Sequence, residues 1–189
     1  QYRIKYILGC IEEYIRAKVN FPSANFTFYQ DQQLEHILPQ TGENIPVSLF
    51  PNQYDYQNTV YKFGNLSLLE APINQSLNFS NDISTNEWFD VKKKAYLNSN
   101  IFLTRTFSEI KIGEQTAFNG FATNNLKTFD TWNMITVSER QEITPYALKF
   151  LKEQGKEVDP RYNDFLEANN AEKAYLHQNS IKNFLKAIV

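Results

Sequence analysis

The stretch Gln33-Leu34-Glu35-His36-Ile37-Leu38-Pro39 decides how the chain is read. Leu34, His36 and Leu38 alternate with Glu35 and Ile37, the two-residue period of a short strand. Alternation sends Glu35 and His36 to opposite faces, so the two serve one site only if the backbone twists or bulges there. Further along, Leu66, Leu68 and Leu69 of Gly64-Asn65-Leu66-Ser67-Leu68-Leu69 give a second short strand. Pro72 then opens a short helix that carries Asn74 and Asn78 one turn apart on one face. Phe89 leads into Lys92-Lys93-Lys94, the densest basic cluster of the chain.

A histidine with an acidic neighbour, followed by asparagines at 65 and 74, is the residue set that a one-metal phosphodiesterase site needs. An imidazole of near-neutral pKa suits His36 as the general base that takes a proton from attacking water. Side-chain oxygens of Glu35 and Asn74 suit one hard divalent ion, Mg²⁺ or Mn²⁺, better than Zn²⁺. Asn65 is expected to brace the motif by tying the loop backbone, so that His36 is aimed. Asn78, Lys92 and Lys93 are candidates for contacts to nucleic-acid phosphate. Each of these residues also has a plainer reading: a structural histidine on a strand, a surface carboxylate, a turn or helix-end asparagine, a solvated lysine face.

The ordered series resembles the HNH (His-Me finger, ββα-metal) nucleases, and most closely the C-terminal domain of GmrSD-type modification-dependent restriction endonucleases. The acid-His-Ile-x-Pro run is Glu35 to Pro39, the Gly-Asn-Leu-x-Leu-Leu run is Gly64 to Leu69, the following asparagine is Asn74, and Phe-x-x-Lys-Lys is Phe89 to Lys93. With the Tyr-rich first helix and the segment holding Trp132, Ile135 and Arg140, the resemblance covers roughly residues 1 to 150. It implies a metal-dependent DNA endonuclease, the cleaving half of a phage-defence restriction system, working with a separate N-terminal sensor or NTPase domain or subunit. It also implies an α+β fold, mostly helical around the small ββα-metal element with a short two-stranded antiparallel sheet. The same fold permits an RNA-cleaving enzyme, and a catalytically inactive nucleic-acid or protein binding module is the alternative from another class. A double-strand break from one active site requires a homodimer or two sequential nicks.

Working outward, 189 residues suffice for one domain with a core plus a helical appendage. With 11 tyrosines and 15 phenylalanines, that core is expected to be built from rings wedged between short helices. The net charge of −2 gives no general attraction to a polyanion, so local basic clusters matter more. The single cysteine, Cys10, excludes an intrachain disulfide and fits a cytoplasmic protein. No run is apolar enough to span a membrane, and there is no Walker motif or CxxC pair. The chain opens within a helix and without Met, which reads as a piece of a longer protein.

Residues 2 to 18 place Ile4, Ile7, Leu8, Ile11 and Ile15 at helical spacing, with Arg3, Glu12, Glu13, Arg16 and Lys18 mostly opposite. A helix over 53 to 62 is expected to carry Tyr54, Val60 and Tyr61 into the core, and 40 to 52 reads as loop. Ser84-Thr85-Asn86-Glu87 has the form of a capping box for a helix whose apolar and basic faces alternate through Trp88, Phe89, Lys92, Lys93 and Tyr96. Ile101 to Phe107 reads as helix or strand, and Gly113 and Gly120 bracket a polar loop. From Trp132 a helical pattern resumes with Ile135, Arg140 and Ile143, then Thr144-Pro145 opens a helix that ends at Gly155. The nuclease domain is placed at 1 to 155, its catalytic element at about 33 to 97. Residues 156 to 189, with His177 read as a surface residue, are expected to form a C-terminal helical extension.

Overall fold

A computed structural model describes residues 1–50, 52–77, 83, 87–108 and 116–155. The described chain is mostly helical with one two-stranded antiparallel sheet, the α+β class. Its elements are α1 (Tyr2–Lys18), α2 (Phe26–Asp31), β1 (Gln33–His36), α3 (Gln53–Val60), β2 (Leu66–Leu69), α4 (Ala71–Ser76), α5 (Trp88–Tyr96), α6 (Phe102–Arg105), α7 (Thr116–Asn125), α8 (Met134–Arg140) and α9 (Pro145–Glu153). Short 3₁₀ turns at Phe63–Asn65 and Gln141–Ile143 lead into β2 and follow α8.

The strands pair Gln33 with Leu69, Leu34 with Leu68, Glu35 with Ser67 and His36 with Leu66. The ladder is regular through all four pairs, so β1 contains no bulge and the chain bends only after His36. Each face of the sheet is closed by its own cluster of apolar side chains. Leu34, Leu66 and Leu68 join the cluster built on α1, which packs along α9 and also meets α2, α6 and α7. Leu69, with Ile37 and Leu38 beyond the strand, joins a second cluster around Trp132, Phe89, Tyr96 and Phe107. Rings dominate the second cluster: Trp132 stacks on Phe89 at 5.4 Å and meets Phe107 and Phe129 edge-on. Burying each large side chain contributes roughly 1.5–3 kcal/mol, so these two clusters supply most of the drive to fold.

Several expectations are corrected. On α1 the apolar stripe is right, but Glu12, Glu13 and Arg16 are buried too. Glu12 pairs with Arg16 at 2.8 Å and accepts the amides of Phe102 and Leu103, which satisfies free N–H groups at the start of α6. Glu13 accepts from Tyr29, Ser23 and the amide of Ala24. A polar side chain in a helical pattern is thus drawn inward when a neighbouring element offers donors. On α3 the buried residues are Tyr56, Thr59 and Val60, while Tyr54 and Tyr61 face outward. Ile135 is exposed and Val137 takes its place in the core. Gly120 lies inside α7 rather than in a loop. Ile101 to Phe107 resolves as the short helix α6. The helix Phe26–Asp31, not foreseen, is capped by Asn25, whose side chain accepts from the amide of Thr27.

Gly155 has φ of 65° and ends α9, as its place after a helical stripe foretells. Helix α5 begins after Glu87 without a side-chain cap; Ser84, Thr85 and Asn86 of the expected capping box lie outside the described residues. So do Gly113 and residues 156–189, with His177. No helix among the described residues is long and apolar enough to cross a membrane.

Candidate functional site

The turn after β1 is held by one side chain. Asn65 is fully buried and uses every hydrogen-bonding position its amide has. Its Oδ1 accepts from the backbone N–H of Leu38 at 2.8 Å and from Trp132 Nε1 at 2.9 Å. Its Nδ2 donates to the carbonyls of Val60 at 2.8 Å and Leu38 at 3.1 Å. The Asn65 carbonyl also accepts from Ile37 N–H at 3.0 Å. Four segments therefore meet at one residue: the end of β1, the end of α3, the entry to β2 and the approach to α8.

Gly64 precedes it because nothing larger fits. A Cβ there would lie 1.9 Å from the Val137 carbonyl oxygen on α8. The close approach lets Arg140, one turn further along α8, reach β2. Its Nη1 donates to the carbonyls of Gly64 at 3.1 Å and Leu66 at 2.8 Å, with its guanidinium 4.2 Å from the Phe107 ring centroid. Burial pushes the Arg140 pKa down to about 9, with the Tyr96 hydroxyl opposing.

Glu35 is buried on the second face of the sheet. Its Oε1 accepts from Lys92 Nζ at 2.7 Å and from Tyr96 Oη at 2.7 Å. Lys92 Nζ also donates to the His36 carbonyl at 3.0 Å. One ammonium thus spans the side chain of Glu35 and the backbone of His36. The reason lies in α5, where Phe89, Lys92 and Tyr96 share a helix face by spacing and all three are buried. This corrects the expectation that the lysines form a basic face. Lys92 keeps only 3% of its surface exposed and is a buried counter-ion, which withdraws it as a contact for phosphate arriving from solvent. Lys93 pairs with Asp90 at 2.7 Å and lies over the Phe89 ring; Lys94 is exposed.

His36 is half-buried at the open end of β1, its ring meeting Tyr61 edge-on at 6.0 Å between centroids. Burial lowers its pKa to about 4; Glu35 opposes the shift and Lys92 adds to it. Those charges reach His36 across the strand, so the three groups share one electrostatic environment although alternation separates their faces. The imidazole is neutral at pH 7 and has a free lone pair, but burial makes it a weaker base than the near-neutral group expected from the sequence.

Asn74 lies on α4, which rests against β1. Its Nδ2 donates to Gln33 Oε1 at 2.6 Å. Gln33 is two residues from Glu35 and on the same strand face, so Asn74 is brought to the side of β1 that carries the carboxylate. Asn78 lies outside the described residues, and α4 ends at Ser76 before reaching it. Among the described residues no group of three His, Cys, Asp or Glu could hold a metal ion. Glu35 and Asn74, the two hard-oxygen donors expected from the sequence, lie among the described residues on one side of β1. That set suits a hydrated Mg²⁺ or Mn²⁺, which commonly takes one or two protein ligands and fills the rest with water and phosphate oxygens.

Sequence reasoning missed Tyr96 as a partner of Glu35, the inward turn of Lys92 and the contact of Tyr61 with His36. The spacing 89, 92, 96 held the signal for the first two, because it places Lys92 in the middle of an apolar stripe. Nothing local announced the third.

Comparison with known protein families matches residues 1–143 to one described as GmrSD restriction endonucleases, C-terminal domain. No curated protein and no solved structure matches the chain.

Proposed function

The chain belongs to the family of GmrSD restriction endonuclease C-terminal domains and is a nuclease domain related to restriction endonucleases; on that premise we propose that it hydrolyses DNA phosphodiester bonds with an HNH (His-Me finger) site and one divalent metal ion. The observation that carries this reading is the fixing of His36 from both sides. Lys92 holds its carbonyl and Asn65 holds the two residues after it, while the imidazole itself stays neutral and half-open. A general base needs that combination of a fixed position and an available lone pair.

In the reaction, the His36 imidazole takes a proton from water as the water oxygen forms its bond to phosphorus. The bond from phosphorus to the leaving sugar oxygen breaks, and that oxygen takes up a proton from solvent. Glu35, through the oxygen not shared with Lys92 and Tyr96, and Asn74, through its side-chain carbonyl, would hold Mg²⁺ or Mn²⁺. Because the regular ladder sends Glu35 and His36 to opposite faces, the ion and the base would reach one phosphate only around the open end of β1, where the chain turns after His36. Such an ion would supply positive charge to the scissile phosphate as negative charge builds there. Lys92 keeps the Glu35 carboxylate in place and offsets part of its charge, so an ion held there would be weakly bound. Asn65 and Gly64 keep the turn in place, which holds the backbone that carries His36. In the cell, the domain serves as the cutting part of a phage-defence restriction system in the cytoplasm, with a separate sensor or NTPase unit choosing the DNA.

Incubating supercoiled plasmid with the chain in Mg²⁺ or Mn²⁺, beside EDTA, tests the reading. Metal-dependent nicking or linearisation is expected, and EDTA should abolish it. Cleavage that is indifferent to EDTA, or absent from a folded protein in both metals, contradicts it; cleavage of RNA alone would move the substrate but keep the site.

A further inference from the structure

Helix α3 lies between the two halves of the motif and has a buried side and an open side. Tyr56, Thr59 and Val60 form the buried side, which already gives the helix its place in the core. Tyr54 and Tyr61 are seven residues apart, two helical turns, and so lie together on the other side, roughly 10 Å apart along the axis. They keep 61% and 47% of their surfaces exposed. The ring of Tyr61 is the one that meets His36 edge-on, at 82° between ring planes. Whatever lies on Tyr61 therefore lies next to the proposed base. The helix Gln53–Val60 has no basic residue and carries Asp55 in its first turn, so this side does not attract phosphate. Two open aromatic rings on a helix without a basic residue suit the uncharged faces of nucleobases. The bases of an intact duplex hide those faces in the stack, so the occupant is unpaired.

Resting on the nuclease reading above, we propose that Tyr54 and Tyr61 form a stacking platform that seats unpaired nucleobases of the substrate strand beside His36. The substrate next to the site is then single-stranded or locally opened DNA rather than closed duplex. The rise between the two positions along the helix is about three steps of a stacked strand, so the two tyrosines engage different bases of one strand.

The test is fluorescence anisotropy of the full chain with a labelled single-stranded DNA oligonucleotide and with its duplex, in EDTA to suppress cleavage. The wild-type chain should bind the single strand more tightly than the duplex. Tyr61→Ala and Tyr54→Ala should each weaken single-strand binding by about 5- to 150-fold and leave duplex binding unchanged. Tyr61→Phe and Tyr54→Phe should bind as the wild type does, since stacking needs the ring and not the hydroxyl. Tyr54→Ala guards against a trivial outcome, because Tyr54 is two turns from the residue that contacts His36. Unchanged single-strand affinity in both alanine variants, or tighter binding of duplex, overturns the platform. If plasmid is still cut in a His36-dependent way in that case, the nuclease reading stands and the platform alone fails. If the folded wild-type chain binds neither form and cuts neither, both fail.

Discussion

Asn65 shows how much one buried amide can decide. Replacing it by Ala strands the Leu38 amide and carbonyl, the Val60 carbonyl and the Trp132 indole N–H in a dry interior. Each unsatisfied buried group costs about 1–3 kcal/mol, and partial rearrangement keeps the sum below simple addition. Asn65→Ala is therefore expected to lower the unfolding free energy by about 3 kcal/mol or more in urea denaturation; a loss under about 1 kcal/mol would contradict the bracing role. His36 carries a pH signature. Its pKa is about 4 in the folded chain, chiefly through burial, against 6.5 for a free imidazole. Between those values the unfolded chain binds a proton that the folded chain does not, so His36 makes stability fall as pH drops from 6.5 to 4. The acid sensitivity of wild type should exceed that of His36→Gln across that window, measured by thermal unfolding at matched pH. Equal sensitivity would mean the imidazole is not desolvated. At this scale the sequence was informative about identity and poor about environment. His36, Asn65 and Asn74 stood out by order and neighbours, whereas most of their partners came from distant segments: Leu38 and Trp132 lie 27 and 67 residues from Asn65, and Gln33 lies 41 from Asn74.

Between elements, the contact of α5 with β1 rests on the buried Lys92–Glu35 pair with Tyr96, and that of the 3₁₀ turn with α8 rests on Gly64. Lys92→Met leaves the Glu35 carboxylate buried without its counter-ion, and breaking a pair in this way typically costs about 3–5 kcal/mol. Glu35→Gln added to Lys92→Met removes the stranded charge and should recover most of that loss in a double-mutant cycle. If the double variant is no more stable than Lys92→Met, the pair does not hold α5 to the sheet. Gly64→Ala drives a methyl into the Val137 carbonyl, which belongs to the backbone and cannot step aside as a flexible side chain would. A loss of about 2 kcal/mol or more is expected, and a neutral result would contradict the close approach. These junctions explain which elements were legible. The apolar stripe of α1, the two short strands and Pro72 at the start of α4 are local patterns, and each appears in the fold. The inward turn of Lys92 on α5, and of Glu12 and Glu13 on α1, depends on donors and acceptors that other elements bring, which periodicity alone does not contain.

Across the whole molecule, the sheet is the seam between two apolar clusters, and the proposed site sits at its open end, where His36 faces one side and Glu35 the other. The aromatic composition foretold ring packing, and the order of motifs foretold a small sheet within a helical body. Which rings stay outside was hidden: Tyr54 and Tyr56 are two residues apart on one helix, yet only Tyr56 finds a buried acceptor, the Pro39 carbonyl at 2.5 Å. The arrangement makes the position of one imidazole the common product of both clusters, the Asn65 knot and the Lys92 bridge. The most direct check is the cleavage rate of a His36→Ala variant, its folding verified by circular dichroism, on supercoiled plasmid with Mg²⁺ or Mn²⁺ and with or without added imidazole. The account predicts a loss of about 10²- to 10⁴-fold, partly restored when imidazole enters the vacated space. A folded His36→Ala variant that cuts at the wild-type rate would contradict it.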